Sequence, residues 1–380
     1  MYVLMVVPSN FPNGDAGAVR DMAFAKIYQE LGYEVILIGM GRNSEEGILE
    51  DVKYYSLYKE RKNKFEHLTI FLNYKYRCIE LLKYIIDEKG YMPSLIHIND
   101  IPEAMVNYLI NISQKHNIPI IHDSTEWYSP CEFKRGVLDK AYILKNRTNK
   151  HVIKKPIKVI AISKYLNEHF KKRGIESIRI PVIMDIKNTT LLDEHEDDDV
   201  VNLIYAGSPA TKDYLVEIVE AVTMFKHEDK IKVHIFGINQ DQLKAMCNVS
   251  QFPSNIIIYG RVPREQVLIS MRKMDFSLLL RPEKERYTKA GFPTKSVEAI
   301  SHGVAMMCNL TSDLGMYFID GENSIIISEC STTSVLDALN RILKLTRSEI
   351  QMIKNNARLL AEKNFDYRLY VQAIKDLIGD

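Results

Sequence analysis

Short apolar runs alternate with helical patterns along the whole chain, and this alternation is the strongest constraint on its fold. Apolar runs of four to six residues are typical of buried strands, and the amphipathic segments between them are typical of crossover helices. The pattern predicts two α/β domains with parallel, doubly wound, Rossmann-like sheets. The predicted strands are 2–7, 35–38, 95–98, 119–122, 159–162, 201–206, 231–236, 256–259, 276–280, 304–308 and 325–327, and 18–31 and 213–225 are examples of the predicted helices.

The length of 380 residues predicts two domains. The run DEHEDDD, residues 193–199, has no apolar side chain to anchor it in a core, so we interpret it as part of a solvated linker. We therefore expect one domain over residues 1–184, a linker over 185–200 and a second domain over 201–364. The amphipathic end of the chain, about 365–380, predicts a last helix.

Composition excludes several classes of protein. The net charge of +1 argues against a general nucleic-acid-binding protein. No apolar run approaches the roughly 20 residues of a transmembrane helix, and the N-terminus is interpreted as a buried strand rather than a signal peptide. The five cysteines are scattered without a CxxC pattern, which predicts reduced thiols in a cytoplasmic protein. No HxxH motif, strand-end DxD or Cys/His cluster predicts a metal site.

The segment AGFPTKSVEAISHGVAMM, residues 290–307, carries the clearest binding signal. A Gly-Phe-Pro turn precedes a predicted helix, Gly303 suits a left-handed C-cap at its end, and a buried strand follows. Amides at a helix N-terminus bind phosphate, and Glu298, about one turn past Thr294, is placed to accept two hydroxyls of a ribose. The segment thus predicts a site for a nucleoside diphosphate. The alternative for Glu298 is a capping or solvated glutamate.

This segment resembles the donor-binding segment of the family-four retaining glycosyltransferases, which have the GT-B fold. That family usually has two glutamates eight positions apart around a Gly-Phe turn. Gly291, Phe292 and Glu298 match, whereas Ala290 replaces the first glutamate, so AGFPTK looks like a variant branch. The family places the missing carboxylate near the donor sugar, which leaves the sugar open. The resemblance implies two domains facing each other across a cleft, with a C-terminal helix that crosses back to the first domain.

Cations near this segment are candidates for binding the diphosphate. In GSPATKD, residues 207–213, Lys212 matches a lysine of the family, and Ser208 replaces the arginine that usually precedes it. Arg261 and Arg281 each follow a predicted strand, and either could supply the missing charge. The alternatives are an exposed lysine in a first helical turn and ordinary surface arginines.

The turn itself supplies further candidates. The backbone of Gly291, Phe292 and Pro293 is expected to lie against the donor. Thr294 is predicted to cap the helix and to offer its hydroxyl to phosphate, and Lys295 is predicted to pair with the same group. The alternative for Lys295 is again an exposed lysine in the first turn.

In the first domain, polar residues follow two predicted strands. Gly17 is the best match to the family's first loop, where a backbone without side chains lies close to the donor; an ordinary flexible loop is the alternative. Many relatives end the strand at 119–122 with a histidine near the sugar, which His122 fits. Others have an Asp-x-His-Glu pattern, which Asp123 and Glu126 fit with Thr125 in the position of the histidine. Trp127 is a candidate for stacking on a sugar. The alternative for His122 is a satisfied core histidine.

Charge is concentrated in residues 131–173, where thirteen Lys or Arg against three Asp or Glu give a net charge of +10. These residues are either solvated helix faces or a surface for anionic lipid or a lipid-diphosphate acceptor. Each basic side chain near an anionic bilayer contributes about 1 kcal/mol. Peripheral contact with the inner face of the membrane is therefore one of the expected interactions.

The resemblance implies a retaining, metal-independent glycosyltransferase without a cofactor, in cell-surface polysaccharide or glycolipid synthesis. Its partners would be a nucleotide-sugar donor and a glycan or lipid-linked acceptor. The candidate catalytic residues are His122, Asp123, Glu126, Lys212 and Arg281. Three alternatives remain, namely a nucleotide-sugar epimerase of the same fold, a non-catalytic nucleotide-sugar-binding subunit and, least favoured because both halves lack GxGxxG, a Rossmann oxidoreductase.

Overall fold

A computed structural model describes residues 1–12, 16–40, 46–57, 64–189, 199–207 and 213–379, with only the backbone for 64–72. The chain forms two compact units. Unit 1 comprises Met1–Met184 and Tyr367–Asp380, and unit 2 comprises Asp185–Asp366. Each unit contains one predominantly parallel sheet with crossover helices, which confirms the predicted α/β class with two Rossmann-like sheets.

Unit 1 begins with a buried strand and ends with the last helix of the chain. Its sheet has the order β3-β4-β2-β1-β5-β6-β7-β8, in which only the β3–β4 pair is antiparallel among the described residues. The elements are β1 (Tyr2–Val6), α1 (Ala16–Glu30), β2 (Glu34–Gly39), β3 (Glu46–Leu49), β4 (Val52–Ser56), α2 (Lys64–Lys89), β5 (Leu95–Asn99), α3 (Glu103–His116), β6 (Ile120–Ser124), α4 (Lys140–Arg147), β7 (Lys158–Ala161), α5 (Lys164–Lys172) and β8 (Ser177–Arg179).

Unit 2 has a six-stranded parallel sheet with the order β11-β10-β9-β12-β13-β14. Its elements are β9 (Val201–Ala206), α6 (Leu215–Met224), β10 (Ile231–Phe236), α7 (Gln240–Cys247), β11 (Ile256–Gly260), α8 (Arg264–Met271), β12 (Phe276–Leu279), α9 (Arg286–Ala290), α10 (Thr294–Ser301), β13 (Ala305–Cys308), β14 (Ser324–Ile326), α11 (Thr332–Ile342) and α12 (Arg347–Asn364). Beyond unit 2, a 3-10 turn at Tyr367–Tyr370 leads into α13 (Val371–Ile378).

The last helix packs in the core of unit 1. Ile374 and Leu377 of α13 are buried in the same cluster as Phe24 and Tyr28 of α1. The 3-10 turn before it is tied to the end of the first segment, because Tyr367 donates its amide to the carbonyl oxygen of Met184 at 3.0 Å. The helix predicted at the end of the chain is therefore present, and it completes the core of unit 1.

The six strands of unit 2 lie within one residue of their predicted bounds, whereas three strands of unit 1 were not predicted. The missed strand β3 is largely exposed, β8 has only three residues, and β4 (VKYYS) mixes polar with apolar side chains. These edge segments lack the continuous apolar run that marks a buried parallel strand. Most of the predicted linker, residues 190–198, lies outside the described residues. No helix that the structure describes is long and apolar enough to cross a membrane.

Candidate active site

The order of strands in unit 2 reverses at β9 and β12. The chain continues from β9 to β10 and β11 on one side, then returns to place β12, β13 and β14 on the other. Ligands of open α/β sheets bind at such a switch point, outside the carboxyl ends of the strands. The loops after β9 and β12 are joined there, because Tyr214 donates its amide to the carbonyl oxygen of Leu280 at 3.0 Å.

Glycine lies at the end of three neighbouring strands at this edge. Gly207, Gly237 and Gly260, at the ends of β9, β10 and β11, have φ angles of 152°, 98° and 72°. A Cβ at Gly237 would lie 2.3 Å from the carbonyl oxygen of Gly207, so no side chain fits. A Cβ at Gly207 would lie 3.5 Å from Nζ of Lys295. Backbone without a side chain therefore borders Lys295, one of the predicted phosphate ligands.

One buried carboxylate holds two cations at the switch point. Asp213 is 3% exposed and accepts a hydrogen bond from Nε of Arg281 at 2.9 Å and one from the Tyr205 hydroxyl at 2.7 Å. It also forms an ion pair with Lys295. The Lys295 ammonium lies 4.6 Å from the centroid of the Tyr205 ring, a cation–π distance. We call Asp213, Lys295, Arg281 and Tyr205 the carboxyl-edge cluster.

The electrostatics of this cluster favour an anionic ligand. Burial raises the pKa of Asp213, but Lys295 and Arg281 outweigh burial and hold that pKa below its usual value. Burial lowers the pKa of Lys295, and Arg281 lowers it further against the opposing effect of Asp213. With both side chains charged, two cations face one carboxylate. The Nη atoms of Arg281 make no hydrogen bond to any described residue, so they remain available to a phosphate.

The turn before α10 presents helix amides at the same place. Phe292 anchors this turn by packing edge-to-face on Tyr317 and Phe365, with ring centroids 5.9 and 5.8 Å away. Pro293 is the N-cap, and no side chain within the described chain caps the helix. Thr294 is the first helical residue, so the prediction that it caps the helix is wrong. The Ser296 amide donates to the carbonyl oxygen of Pro293 at 3.0 Å, so the uncapped amides among the described residues are those of Thr294 and Lys295, and the same first turn presents the Lys295 ammonium.

The end of α10 follows the predicted pattern. Gly303 adopts a φ of 73°, and its amide donates to the carbonyl oxygen of Ile300 at 3.1 Å. Val304 donates to the carbonyl oxygen of Ala299 at 3.0 Å, which completes a Schellman motif. The helix is thus fixed at its far end, while its N-terminus has no side-chain cap.

Glu298 is paired with a cation that the sequence did not indicate. Its carboxylate forms an ion pair with Arg264 at the start of α8, and the two side chains are 19% and 44% exposed. The second oxygen, Oε2, makes no hydrogen bond to a described residue. Glu298 therefore lies one turn beyond Lys295, near the surface, with one oxygen held and one available.

The remaining donor candidates are not part of the carboxyl-edge cluster. Arg261 is exposed and follows β11, the strand at the far edge of the sheet from β12. Ala290, which replaces the family's first glutamate, is fully buried. Ser208 and Lys212 lie outside the described residues. Among residues that the structure describes, no group of three or more His, Cys, Asp or Glu is arranged to hold a metal ion.

In unit 1, two of the predicted residues, His122 and Asp123, lie within β6, and Asp123 forms a buried ion pair. Arg20 of α1 binds both oxygens of Asp123, with Nε–Oδ2 and Nη2–Oδ1 distances of 2.7 and 2.9 Å. Its Nη atoms also donate to the carbonyl oxygens of Ile180 and Pro181. Asp123 is fully buried and Arg20 is 4% exposed, so this pair ties α1 and the strand end to the segment after β8.

His122 is also buried beneath the surface of unit 1. Burial and Lys145 lower its pKa to about 3, so its imidazole is neutral at physiological pH. Its ring nitrogens make no well-formed hydrogen bond to any described residue. Glu126 is partly exposed beyond the strand, and Gly17 is the second residue of α1. The catalytic and binding roles of these residues stay predictions.

Trp127 does not offer its ring to a ligand. It is 4% exposed, its indole Nε1 donates to Oδ1 of Asn146 at 2.7 Å, and its ring lies 4.4 Å from that of His169. The prediction that Trp127 stacks on a sugar is therefore wrong, because the ring fills the interior of unit 1.

Comparison with known families agrees with the geometry of unit 2. Residues 192–359 match the family described as glycosyl transferases group 1. The match covers most of unit 2 and less than half of the chain, so unit 2 is similar to this family over these residues. Its switch point, the carboxyl-edge cluster and the α10 turn all lie inside the matched residues. A search of curated proteins finds no match to the chain.

The two units together have the GT-B fold of several solved structures. The sucrose-phosphate synthase of Thermosynechococcus elongatus is similar with a TM-score of 0.73 and 13% identity, over 99% of this chain and 98% of that one. WaaG, a glycosyltransferase involved in lipopolysaccharide biosynthesis, is similar with a TM-score of 0.69 and 14% identity over 100% of both chains. Anabaena HepE in complex with UDP-glucose is similar with a TM-score of 0.67 and 13% identity, over 100% of this chain and 99% of that one. The predicted GT-B fold is confirmed.

Proposed function

We propose that the chain transfers a hexosyl group from a nucleoside-diphosphate sugar to a glycan or lipid-linked acceptor, with retention of configuration. The observation that carries this proposal is the carboxyl-edge cluster, in which one buried carboxylate presents Lys295 and Arg281 beside the uncapped amides of α10. A diphosphate is the anion that suits two adjacent cations and a helix N-terminus.

The same groups would stabilise the leaving diphosphate. Negative charge builds on the phosphate oxygen as its bond to the sugar breaks, and preorganised donors at that oxygen lower the barrier by several kcal/mol. Asp213 acts as a positioning residue, because it fixes Nε of Arg281 and the Lys295 ammonium before the donor arrives. With this cationic charge in place, the reaction is proposed to need no metal ion.

Glu298 is proposed to accept hydroxyl groups of the ribose. Its free Oε2 can accept one hydroxyl directly, while Arg264 holds the other oxygen and fixes the side chain. Because HepE is described in complex with UDP-glucose, uridine diphosphate donors are the first to test. The absence of a carboxylate at Ala290 removes a group that would bind the sugar, so the sugar is expected to differ from that of the paired-glutamate enzymes.

Unit 1 is proposed to bind the acceptor. His122 and Asp123 lie in the second half of β6, and Glu126 follows this strand. Gly17 lies at the start of α1, which Arg20 ties to Asp123. In this scheme the Arg20–Asp123 pair holds the backbone after β6 in place, and partly exposed Glu126 contacts the acceptor. Product of one anomeric configuration, matching the donor, is the expected stereochemical outcome.

Calorimetry with UDP, ADP and GDP, each with and without EDTA, tests the donor site. We expect one nucleoside diphosphate to bind with an affinity that EDTA does not change. No binding by any of the three would contradict the proposal, and binding that EDTA abolishes would contradict the metal-free scheme.

Donor consumption separates transfer from the alternatives. A transferase consumes its nucleotide sugar rapidly only when an acceptor is present. An epimerase converts the nucleotide sugar without an acceptor, and a non-catalytic subunit binds it without any turnover. Chromatography of the nucleotide products with and without a panel of glycan and lipid-linked acceptors gives a different result for each.

A further inference from the structure

Four aliphatic side chains are exposed together in the basic region of unit 1. A 3-10 turn at Gly136–Leu138 exposes Val137 and Leu138 by 58% and 76%, and α4, which begins two residues later, exposes Ile143 and Leu144 by 48% each. Soluble proteins commonly expose single apolar residues, but a group of this kind marks an interaction surface.

The outer face of α4 is both apolar and basic. Lys140, Ile143, Leu144 and Arg147 occupy positions i, i+3, i+4 and i+7, which share one side of a helix, and all four are exposed. Each end of this side carries a cation and its centre carries the two aliphatic side chains. With Val137 and Leu138 it forms what we call the α4 surface.

The opposite face of α4 is fixed to the body of unit 1. Lys145 is buried in an ion pair with Asp100, and Asn146 accepts the indole hydrogen bond of Trp127. Asp139 caps the helix by accepting the amide hydrogen of Ala141 at 2.9 Å. The exposed aliphatic side chains therefore belong to a helix whose opposite face is anchored to the body of unit 1.

Most of the surrounding cations are exposed, and two of the exposed ones are paired with carboxylates, Arg147 with Glu103 and Lys164 with Glu168. Of the thirteen cations in residues 131–173, ten are exposed, and the other three serve the fold. Lys145 pairs with Asp100, Arg173 donates to the carbonyl oxygens of Asn149 and Ile153, and Lys158 donates to that of Leu377. The exposed ones are Lys134, Arg135, Lys140, Arg147, Lys150, Lys154, Lys155, Lys164, Lys171 and Lys172.

We propose that the α4 surface docks on an anionic lipid bilayer, with Val137, Leu138, Ile143 and Leu144 entering the headgroup boundary and the cations contacting lipid phosphates. Aliphatic residues flanked by lysine and arginine on one helix face are the pattern of interfacial helices. A protein partner could cover the apolar residues as well, but the excess of cations selects a strongly anionic surface. The inference is independent of the transfer reaction, because lipid binding is measured without donor.

Cosedimentation of the full chain with vesicles tests this proposal. The chain should bind vesicles of phosphatidylglycerol and phosphatidylcholine much better than phosphatidylcholine alone, and binding should weaken in high salt. The double variant Ile143→Ser, Leu144→Ser should bind the anionic vesicles about tenfold less well, since two aliphatic groups no longer leave water. Lys134→Glu with Lys140→Glu should have a comparable effect.

Matched variants elsewhere give the controls. Ile269 and Ile319 of unit 2 are 51% and 53% exposed, so Ile269→Ser with Ile319→Ser removes a similar apolar area and should bind lipid normally. Lys226 and Lys273 are exposed lysines for the matching charge control. Circular dichroism melting shows whether each variant is folded.

Equal binding to neutral and anionic vesicles, or an equal loss of binding in test and control variants, would overturn the proposal. Self-association that Leu144→Ser abolishes, without vesicle binding, would also overturn it and assign the surface to a second copy of the chain.

Discussion

Two ion clusters at opposite edges of the unit 2 sheet contain the same charged residue types in different surroundings. The carboxyl-edge cluster joins Asp213 to Lys295 and Arg281. At the amino edge, Asp275 precedes β12 and joins Lys354 and Arg347 of α12, with N–O distances of 3.3 and 3.1 Å. We call these three residues the amino-edge cluster.

The two clusters differ in the further hydrogen bonds that their lysine and arginine side chains donate. In the amino-edge cluster, Lys354 also donates to the carbonyl oxygen of Met274, Arg347 to that of Val200, and Asp275 accepts the amide of Asn202 at 2.8 Å. Lys354 is only 1% exposed, so its ammonium group is not offered to a ligand. At the carboxyl edge, the Nη atoms of Arg281 and the amides of Thr294 and Lys295 lack such acceptors within the described chain. We therefore expect unused donors, rather than charged residues as such, to distinguish the proposed binding site from the structural cluster.

The largest expected effect is on stability at the amino edge. Lys354→Met leaves Asp275 with one cation fewer in a buried place, and breaking a buried pair in this way costs about 3–5 kcal/mol. Urea unfolding should therefore show a strongly lowered midpoint, while activity per folded molecule stays near that of the parent. Lys363→Met, which changes an exposed lysine on the same helix, should leave the midpoint unchanged. A normal midpoint for Lys354→Met would mean that the amino-edge cluster does not hold the fold together.

At the carboxyl edge the expected effect is on turnover. Arg281→Ala should lower the rate at saturating donor about 100-fold, as the loss of a transition-state donor commonly does. It should lower the unfolding midpoint less than Lys354→Met does, because the Arg281 side chain is 20% exposed and the Lys354 side chain 1%. Arg261→Ala serves as the control, because Arg261 is exposed and outside the cluster. Steady-state kinetics compare the two. Full activity of Arg281→Ala, or equal losses in both variants, would remove the functional contrast between the two edges.

A smaller effect is expected one turn further along α10. Glu298→Gln keeps the volume of the side chain but removes its charge, which should weaken nucleoside-diphosphate binding by roughly 1–2 kcal/mol. Calorimetry measures this change, and Glu265→Gln, on an exposed carboxylate of α8, is the control. Unchanged affinity would place Glu298 outside the ribose site and leave it as the partner of Arg264.

The smallest expected effect concerns pH. Protonated Lys295 attracts phosphate, and because burial and Arg281 lower its pKa, this charge is lost at a lower pH than in an ordinary lysine. Nucleoside-diphosphate affinity should therefore fall as the pH rises from 7 towards 10, by less than about tenfold for each pH unit. Binding in alkaline buffer should take up protons, and Lys295→Arg should flatten the profile. Affinity that rises with pH would contradict the role of Lys295.

Part of the carboxyl-edge site and the strands of unit 2 could be predicted from local sequence patterns. The Gly291–Pro293 turn, Lys295, Glu298 and the left-handed Gly303 all belong to one continuous stretch, and the alternation of apolar runs gave the unit 2 strands. The N-cap of α10 was predicted one residue too late, at Thr294, because Pro293 can itself occupy the N-cap position.

The partners of these residues could not be predicted from local spacing. Asp213 lies 68 residues from Arg281 and 82 from Lys295, and Arg264 lies 34 from Glu298. Arg20 and Asp123 are 103 residues apart. Such pairs depend on which strands become neighbours in the sheet, which apolar periodicity does not encode. For the same reason the burial of Trp127, beneath residues of α4 and α5, was not evident.

The last helix has a consequence for how the protein is made. The ribosome releases residues 1–184 first, yet the core of unit 1 also needs Ile374 and Leu377, which emerge only after all of unit 2. Unit 2 can therefore finish folding during synthesis, while unit 1 waits with the α1 side of its core uncovered. A chain that ends just before Tyr367 should therefore fold unit 2 and leave the core of unit 1 incomplete. Chaperones are expected to bind the nascent chain at the stage when unit 1 still lacks its last helix.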